Sequence, residues 1–217
     1  MCGRFNLTTT PEAVAEHFRL QRPPRFQPSF NITPAQKILN IVQLDDNSLK
    51  AVNLFWGLVP SWSKDDKNSH HLINARAETI REKPSFRAAF HKRRCLIVAS
   101  GFYEWQKLGS GKQAFHIHRH DNDLFAFAGI WEHWQHDQHL LYSCCIITTE
   151  AVEIMQPIHE RMPVIVPQSD YQQWLDKSAD EHAVFDLLDN SAYSNMVATP
   201  ISDWVNNPKH NDASCLR

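Results

Sequence analysis

The sequence predicts an α+β fold: one domain built on curled, mostly antiparallel β-sheet, barrel-like, with short helices on its flanks. Three observations carry this expectation. Apolar runs of strand length recur along the chain, among them CLIVAS, LFAFAGIWEHW and LLYSCCIITTE. Short polar or glycine turns such as DDNS and GSG join neighbouring runs into hairpins. Helical patterning is confined to a few short segments, which disfavours a helical or doubly wound fold. No repeat or low-complexity linker divides the 217 residues. They are read as a single domain over 1–217 with a polar tail from about residue 208.

The elements follow in order. Thr10-Pro11-Glu12 before AVAEHF is a cap, a first-turn proline and a short helix. Residues 22–34 hold four prolines and are extended. KILNIVQL and LKAVNLFWGLV are strands about the DDNS turn. Pro60 to Leu72 is a polar surface loop carrying Trp62, and Ile73 to Ile80 opens a helix. KPSFRAAFHKR is a second helix and CLIVAS an inner strand. FYEWQKL and QAFHIHRH form a hairpin about GSG, and LFAFAGIWEHW and LLYSCCIITTE are two further strands. Ala151 to Met155 is a short helix or turn. MPVIVP is one strand, SDYQQWLDKSA a helix capped by Ser169, and ISDWVNN a last short element.

Composition excludes several classes. With 42% hydrophobic and 21% charged residues the chain is globular, and no run approaches the ~20 apolar residues of a membrane span. A formal net charge of -2 supplies no global field toward nucleic acid, so any such site must be a local patch. Five irregularly spaced cysteines without C-x-x-C argue against a disulfide framework and a cysteine zinc site. No secretory signal opens the chain, and a reducing cytoplasmic compartment fits free thiols. His116, His118 and His120 alternate along one strand and are read as a solvated face; no metal and no cofactor is expected.

The chain starts Met1-Cys2-Gly3-Arg4. Loss of Met1 leaves an α-amine and a thiol on one residue. Such an aminothiol condenses with an aldehyde to an imine, which the thiolate closes to a thiazolidine. Four other places combine apolar strand with polar groups. Asn74-Ala75-Arg76-Ala77-Glu78 supplies an amide and a guanidinium suited to an anion. Glu104 lies poorly solvated between Tyr103 and Trp105, as a general acid requires. His159 and Arg161 lie between Pro157 and Pro163. Trp62, in its polar loop, is a stacking surface or lid. Spacing alone does not bring these segments together, and each also reads as an ordinary cap, edge or loop residue.

Seven ordered stretches carry a resemblance: MCGRF, FNITP, FWGLVPSW, INARAET, CLIVASGFYEW, ITTEA and IHERMPVIV. Through them the chain resembles the SOS-response-associated peptidase (SRAP) family over nearly its whole length. The resemblance implies shielding of abasic sites in single-stranded DNA. A covalent thiazolidine crosslink would form through Cys2 after self-removal of Met1, with weak lyase activity where the ring fails to close. The catalytic positions fall on Cys2, Asn74, Glu104 and His159. Arg4, Arg76 and Arg161 match positions that hold phosphates or orient the site, and Trp62, Trp105 and Thr148 positions lining the DNA cleft. Ser63 stands where the family often has a second aromatic, and the HNDASCLR ending departs from the usual tail, with Cys215 matching its cysteine. The implied partner is single-stranded DNA containing abasic sites. No membrane is involved, and the expected state is a cytoplasmic monomer, associated with the nucleoid when on DNA. The main rival is an N-terminal-nucleophile peptidase or amidase acting in trans. A non-catalytic nucleic-acid module and a histidine metalloprotein are further alternatives.

Overall fold

A computed structural model describes residues 2–66, 72–189 and 192–217. Two sheets organise them. Strands β1 (Phe5–Leu7) and β2 (Ser29–Ile32) belong to a five-stranded antiparallel sheet with β7 (Gly101–Leu108), β8 (Gly111–Arg119) and β13 (Met196–Ile201), ordered β13-β8-β7-β1-β2. The second sheet contains β3 (Lys37–Gln43), β4 (Leu49–Trp56), β6 (Arg94–Ala99), β9 (Phe125–His136) and β10 (His139–Glu150). These five close on themselves: β10 pairs antiparallel with β9 and, at Ser143 and Cys144, parallel with Phe55 and Trp56 of β4. The expected curled α+β sheet is therefore a mixed barrel, closed by one parallel contact.

Packing explains the closure. Every residue of β6 is buried, as its unbroken apolar run predicts. Phe5 of β1 sits edge-on to Trp56 and Phe127, with ring centroids 5.2 and 5.8 Å apart, so the first sheet lies against the barrel through aromatics. The helices α1 (Pro11–His17), α2 (Arg87–Lys92), α3 (Tyr171–Leu175) and α4 (Glu181–Asp186) are short. Thr10 caps α1 as expected, its hydroxyl accepting from Ala13 N–H. Ser169 does not cap α3: it bonds Asp170, and a 3-10 turn over Gln168–Asp170 leads into the helix.

Two segments differ from the sequence expectation. The helix expected at Ile73 to Ile80 is a strand, β5 (Asn74–Arg76), followed by a 3-10 turn over Ala77–Thr79. β5 continues the line of β4, pairing parallel with Ile146 to Thr148, and this tertiary pairing overrides a helix-compatible composition. MPVIVP is two strands, β11 (Arg161–Pro163) on β10 and β12 (Ile165–Val166) on β9. Between them Val164 donates to Ile147 O and accepts from Ala128 N–H, bridging the splayed ends of β9 and β10. Part of the expected Pro60 to Leu72 loop, residues 67–71, lies outside the described residues. Among the described residues no helix is long and apolar enough to cross a membrane.

Gly101 opens β7 where no side chain fits. A Cβ there would collide with His116 Nε2 and come within 2.8 Å of Asn6 Oδ1, two atoms that bond each other at 3.1 Å. Gly101→Ala is expected to lower stability by about 1–3 kcal/mol through overpacking. An unchanged denaturation midpoint would show that the His116 ring steps aside without cost.

Candidate active site

The site forms where the first sheet meets the barrel. Phe5 pairs with Phe102 and Asn6 with Gly101. One step further back, Tyr103 N–H donates to Arg4 O at 2.9 Å, so the chain start runs beside Tyr103 and Glu104. Cys2 is thereby fully buried, and Glu104 is 4% exposed. Burial first, and the Glu104 charge second, push the Cys2 thiol above the usual thiol range. From the barrel side, Asn74 on β5 donates through Nδ2 to Cys2 O at 3.0 Å. Its Oδ1 is buried and finds no partner among the described residues. Cys2, Asn74 and Glu104, far apart in sequence, thus meet at the junction of the two sheets.

His159 lies just before β11. Its Nδ1 accepts the Arg161 N–H at 2.9 Å, which places the proton of the neutral ring on Nε2. Arg161 itself is buried and forked onto Glu78, with Nη1 and Nη2 at 2.7 and 3.0 Å from the two carboxylate oxygens. Nη2 also donates to Thr148 O at 2.7 Å. Thr148 is fully buried, its hydroxyl 3.3 Å from Arg161 Nη2, and it pairs with Arg76 across β5 and β10. Arg161 and Thr148 therefore form one internal strut with Glu78.

Arg4 is similarly engaged. Its Nη1 donates to Asn31 Oδ1 at 2.8 Å and Val205 O at 2.7 Å, and its guanidinium lies 5.8 Å from the Trp105 ring centroid. Trp105 donates its indole N–H to Asn206 Oδ1 at 2.7 Å. Arg76 is exposed at the end of β5. Trp62 is 64% exposed, its indole N–H 3.4 Å from Pro84 O. Three groups that hold the site went unassigned in the sequence. Asn31 reaches the carbonyls of Val205, Asn207 and His210, tying the tail beneath Arg4. Tyr193 donates to Pro163 O at 2.8 Å, and burial, then the charges of Cys2 and Glu104, push its phenol up. Glu78 stood in INARAET without its partner, since nothing in that motif points to Arg161. Among the described residues no cluster of three or more His, Cys, Asp or Glu could hold a metal.

The mixed barrel with a second sheet across it defines a known structural class. A crystal structure of a Bacteroides thetaiotaomicron protein superposes with a TM-score of 0.86 at 26% identity, covering 100% of this chain and 99% of that one. The SOS response associated peptidase (SRAP) profile matches residues 1–208, and the chain belongs to that family. The abasic site processing protein YoaM of Bacillus subtilis is 41% identical over 222 residues, spanning 100% of this chain and 97% of the relative. The abasic site processing protein HMCES of Xenopus tropicalis is 28% identical over 265 residues, spanning 100% of this chain and 78% of the relative.

Proposed function

We propose that this protein processes abasic sites in single-stranded DNA by capturing them covalently through Cys2. The observation that carries the reading is the junction of Cys2, Asn74 and Glu104: a thiol one residue from the chain start, held by an amide and flanked by a buried carboxylate. The names of the relatives supply the substrate class.

The chemistry runs in four steps. Hydrolysis of the Met1–Cys2 bond consumes one water and frees the α-amine, with Glu104 as the base that activates the water. Glu104 and His159 then exchange protons with the deoxyribose, opening the hemiacetal to a C1′ aldehyde and a 4′-hydroxyl. The neutral amine adds to C1′ and one water leaves, giving the imine. The Cys2 sulfur adds to the imine carbon, its proton passes to the nitrogen, and the thiazolidine is closed. Asn74 Oδ1, buried and without a partner among the described residues, accepts from the freed amine in this reading. An imine left open can undergo β-elimination, the source of the weak lyase activity.

Strand binding rests on exposed groups near the site. Arg76 contacts phosphate and Trp62 stacks on a base, while Arg4 and Trp105 shape the cleft. Arg161 and Thr148 act from within, fixing His159 and the end of β5. Arg76→Ala is expected to weaken binding of single-stranded DNA and flatten its log-affinity against log-salt slope by about 0.7, one phosphate contact's worth. An unchanged slope would remove Arg76 from the phosphate path. The reading as a whole is tested by incubation with an abasic-site oligonucleotide, which should give a retarded band on a denaturing gel at one protein per lesion. Repeated turnover of a peptide in trans without such a band would favour a peptidase instead.

A further inference from the structure

Strand β4 pairs with β3 along its length but with β10 only at Phe55 and Trp56. The phase of its backbone is set at both ends. Leu44 N–H donates to Ser48 O, and Trp56 N–H to Gln36 O. Lys50, Val52 and Leu54 therefore turn their backbone groups toward β3, and Leu49, Ala51 and Asn53 turn theirs away. Gly57, in the same outward phase, donates to Cys144 O on β10. Beyond that point β10 continues with β9, and no described strand takes the β4 edge.

This edge forms one wall of a groove of about 680 Å³, lined by consecutive residues from Ser48 to Asn53. The opposite wall is the strap from Leu20 to Arg25. The strap cannot serve as the missing strand, because Pro23 and Pro24 have no N–H to offer. It is pinned at one end, where Asn53 Nδ2 donates to Arg25 O at 3.1 Å. Leu20, Leu39, Leu44 and Val52 contribute apolar surface to a largely polar groove, and its charged lining residues are Arg22, Arg25 and Lys50, with no carboxylate. The nearby acids are engaged: Asp45 with Lys177 at 2.7 Å, and Asp46 with the Ser48 hydroxyl at 2.6 Å. A second copy of the chain would bring the same cations to the same edge, so self-pairing is opposed by charge.

We propose that this groove binds an extended acidic segment of a protein partner as an added strand. The segment's backbone pairs with Leu49, Ala51 and Asn53. Its apolar side chains take the sheet face of Leu39, Leu49 and Ala51, and its carboxylates the face of Lys50, with Arg22 and Arg25 from the strap. This site is separate from the capture chemistry and does not rest on it.

The test uses a fluorescein-labelled peptide of about ten residues alternating valine with glutamate, read by anisotropy against the full-length protein. Binding should fall about 10-fold or more when lysine replaces glutamate in the peptide, when its alternate amides are N-methylated, and in the Lys50→Glu protein. Ala51→Pro removes an outward N–H without touching the β3 ladder and should do the same. If Ala51→Pro does not fold, Lys50→Glu with the N-methylated peptide decides the matter alone. Abasic-site crosslinking should be unchanged in Lys50→Glu. Equal affinity for the methylated and unmethylated peptides, or no measurable binding of either, would overturn the proposal. So would a thymidine homopolymer that binds this groove more tightly than the peptide.

Discussion

Cys2→Ala is expected to abolish the heat-stable adduct with abasic DNA while leaving non-covalent binding of single-stranded DNA within about two-fold of the parent protein. The exposed residues proposed to contact DNA, Arg76 and Trp62, are untouched by the substitution. The packing cost is confined to the loss of one buried sulfur atom from an apolar cluster. What is lost is the second bond to C1′. In the fraction of the variant that loses Met1 the α-amine remains, so an imine still forms and reverses or eliminates. The incised strand should therefore appear where the parent gives a crosslink. A Cys2→Ala protein that accumulates a heat-stable adduct would place the nucleophile elsewhere.

Glu104→Gln is expected to separate two proposed roles of one carboxylate. As the proton-transfer group for Met1 removal and ring opening, its loss should slow both by about 100-fold or more. Its charge has the opposite effect on the thiol. Burial is the larger cause of the raised Cys2 ionisation and persists in the variant, but the repulsion from Glu104 goes. A raised thiol pKa means less thiolate at a given pH, so removing one cause of the rise moves ionisation to lower pH. Iodoacetamide should then alkylate Cys2 faster in Glu104→Gln at the same pH, while crosslinking falls. Loss of both rates together would point to disruption of the fold around β7. Crosslinking at the parental rate would remove Glu104 from the chemistry.

Part of the fold was legible because six strands, in the pairs β3–β4, β7–β8 and β9–β10, are joined by local turns. The β3–β4 and β7–β8 hairpins and the buried β6 follow from alternation, turn residues and an unbroken apolar run. What failed was decided by distant partners. β5 is a strand because Ile146 to Thr148 offer it an edge, and IHERMPVIV divides at Val164 because β9 and β10 diverge there. No element was expected at Glu181–Asp186 or Met196–Ile201, whose short runs gain structure from the Asp180 cap and the edge of β8. The candidate residues Cys2, Asn74, Glu104 and His159 were visible as motifs, but chemistry alone left each as plausible a surface residue as a catalytic one. Their supports were invisible for a physical reason. Asn31 stood in FNITP without an assigned role and Tyr193 in no motif, and the value of each lies in the carbonyls it reaches.

The central claim is that one residue supplies both bonds to the lesion. It is tested most directly by digesting the adduct with trypsin and nuclease, alkylating it, and weighing the N-terminal peptide. The account predicts a peptide that begins at Cys2, lacks Met1, carries the deoxyribose remnant less one water, and takes up no alkyl group on Cys2. A remnant-bearing peptide that retains Met1, or one whose Cys2 alkylates freely, would contradict it.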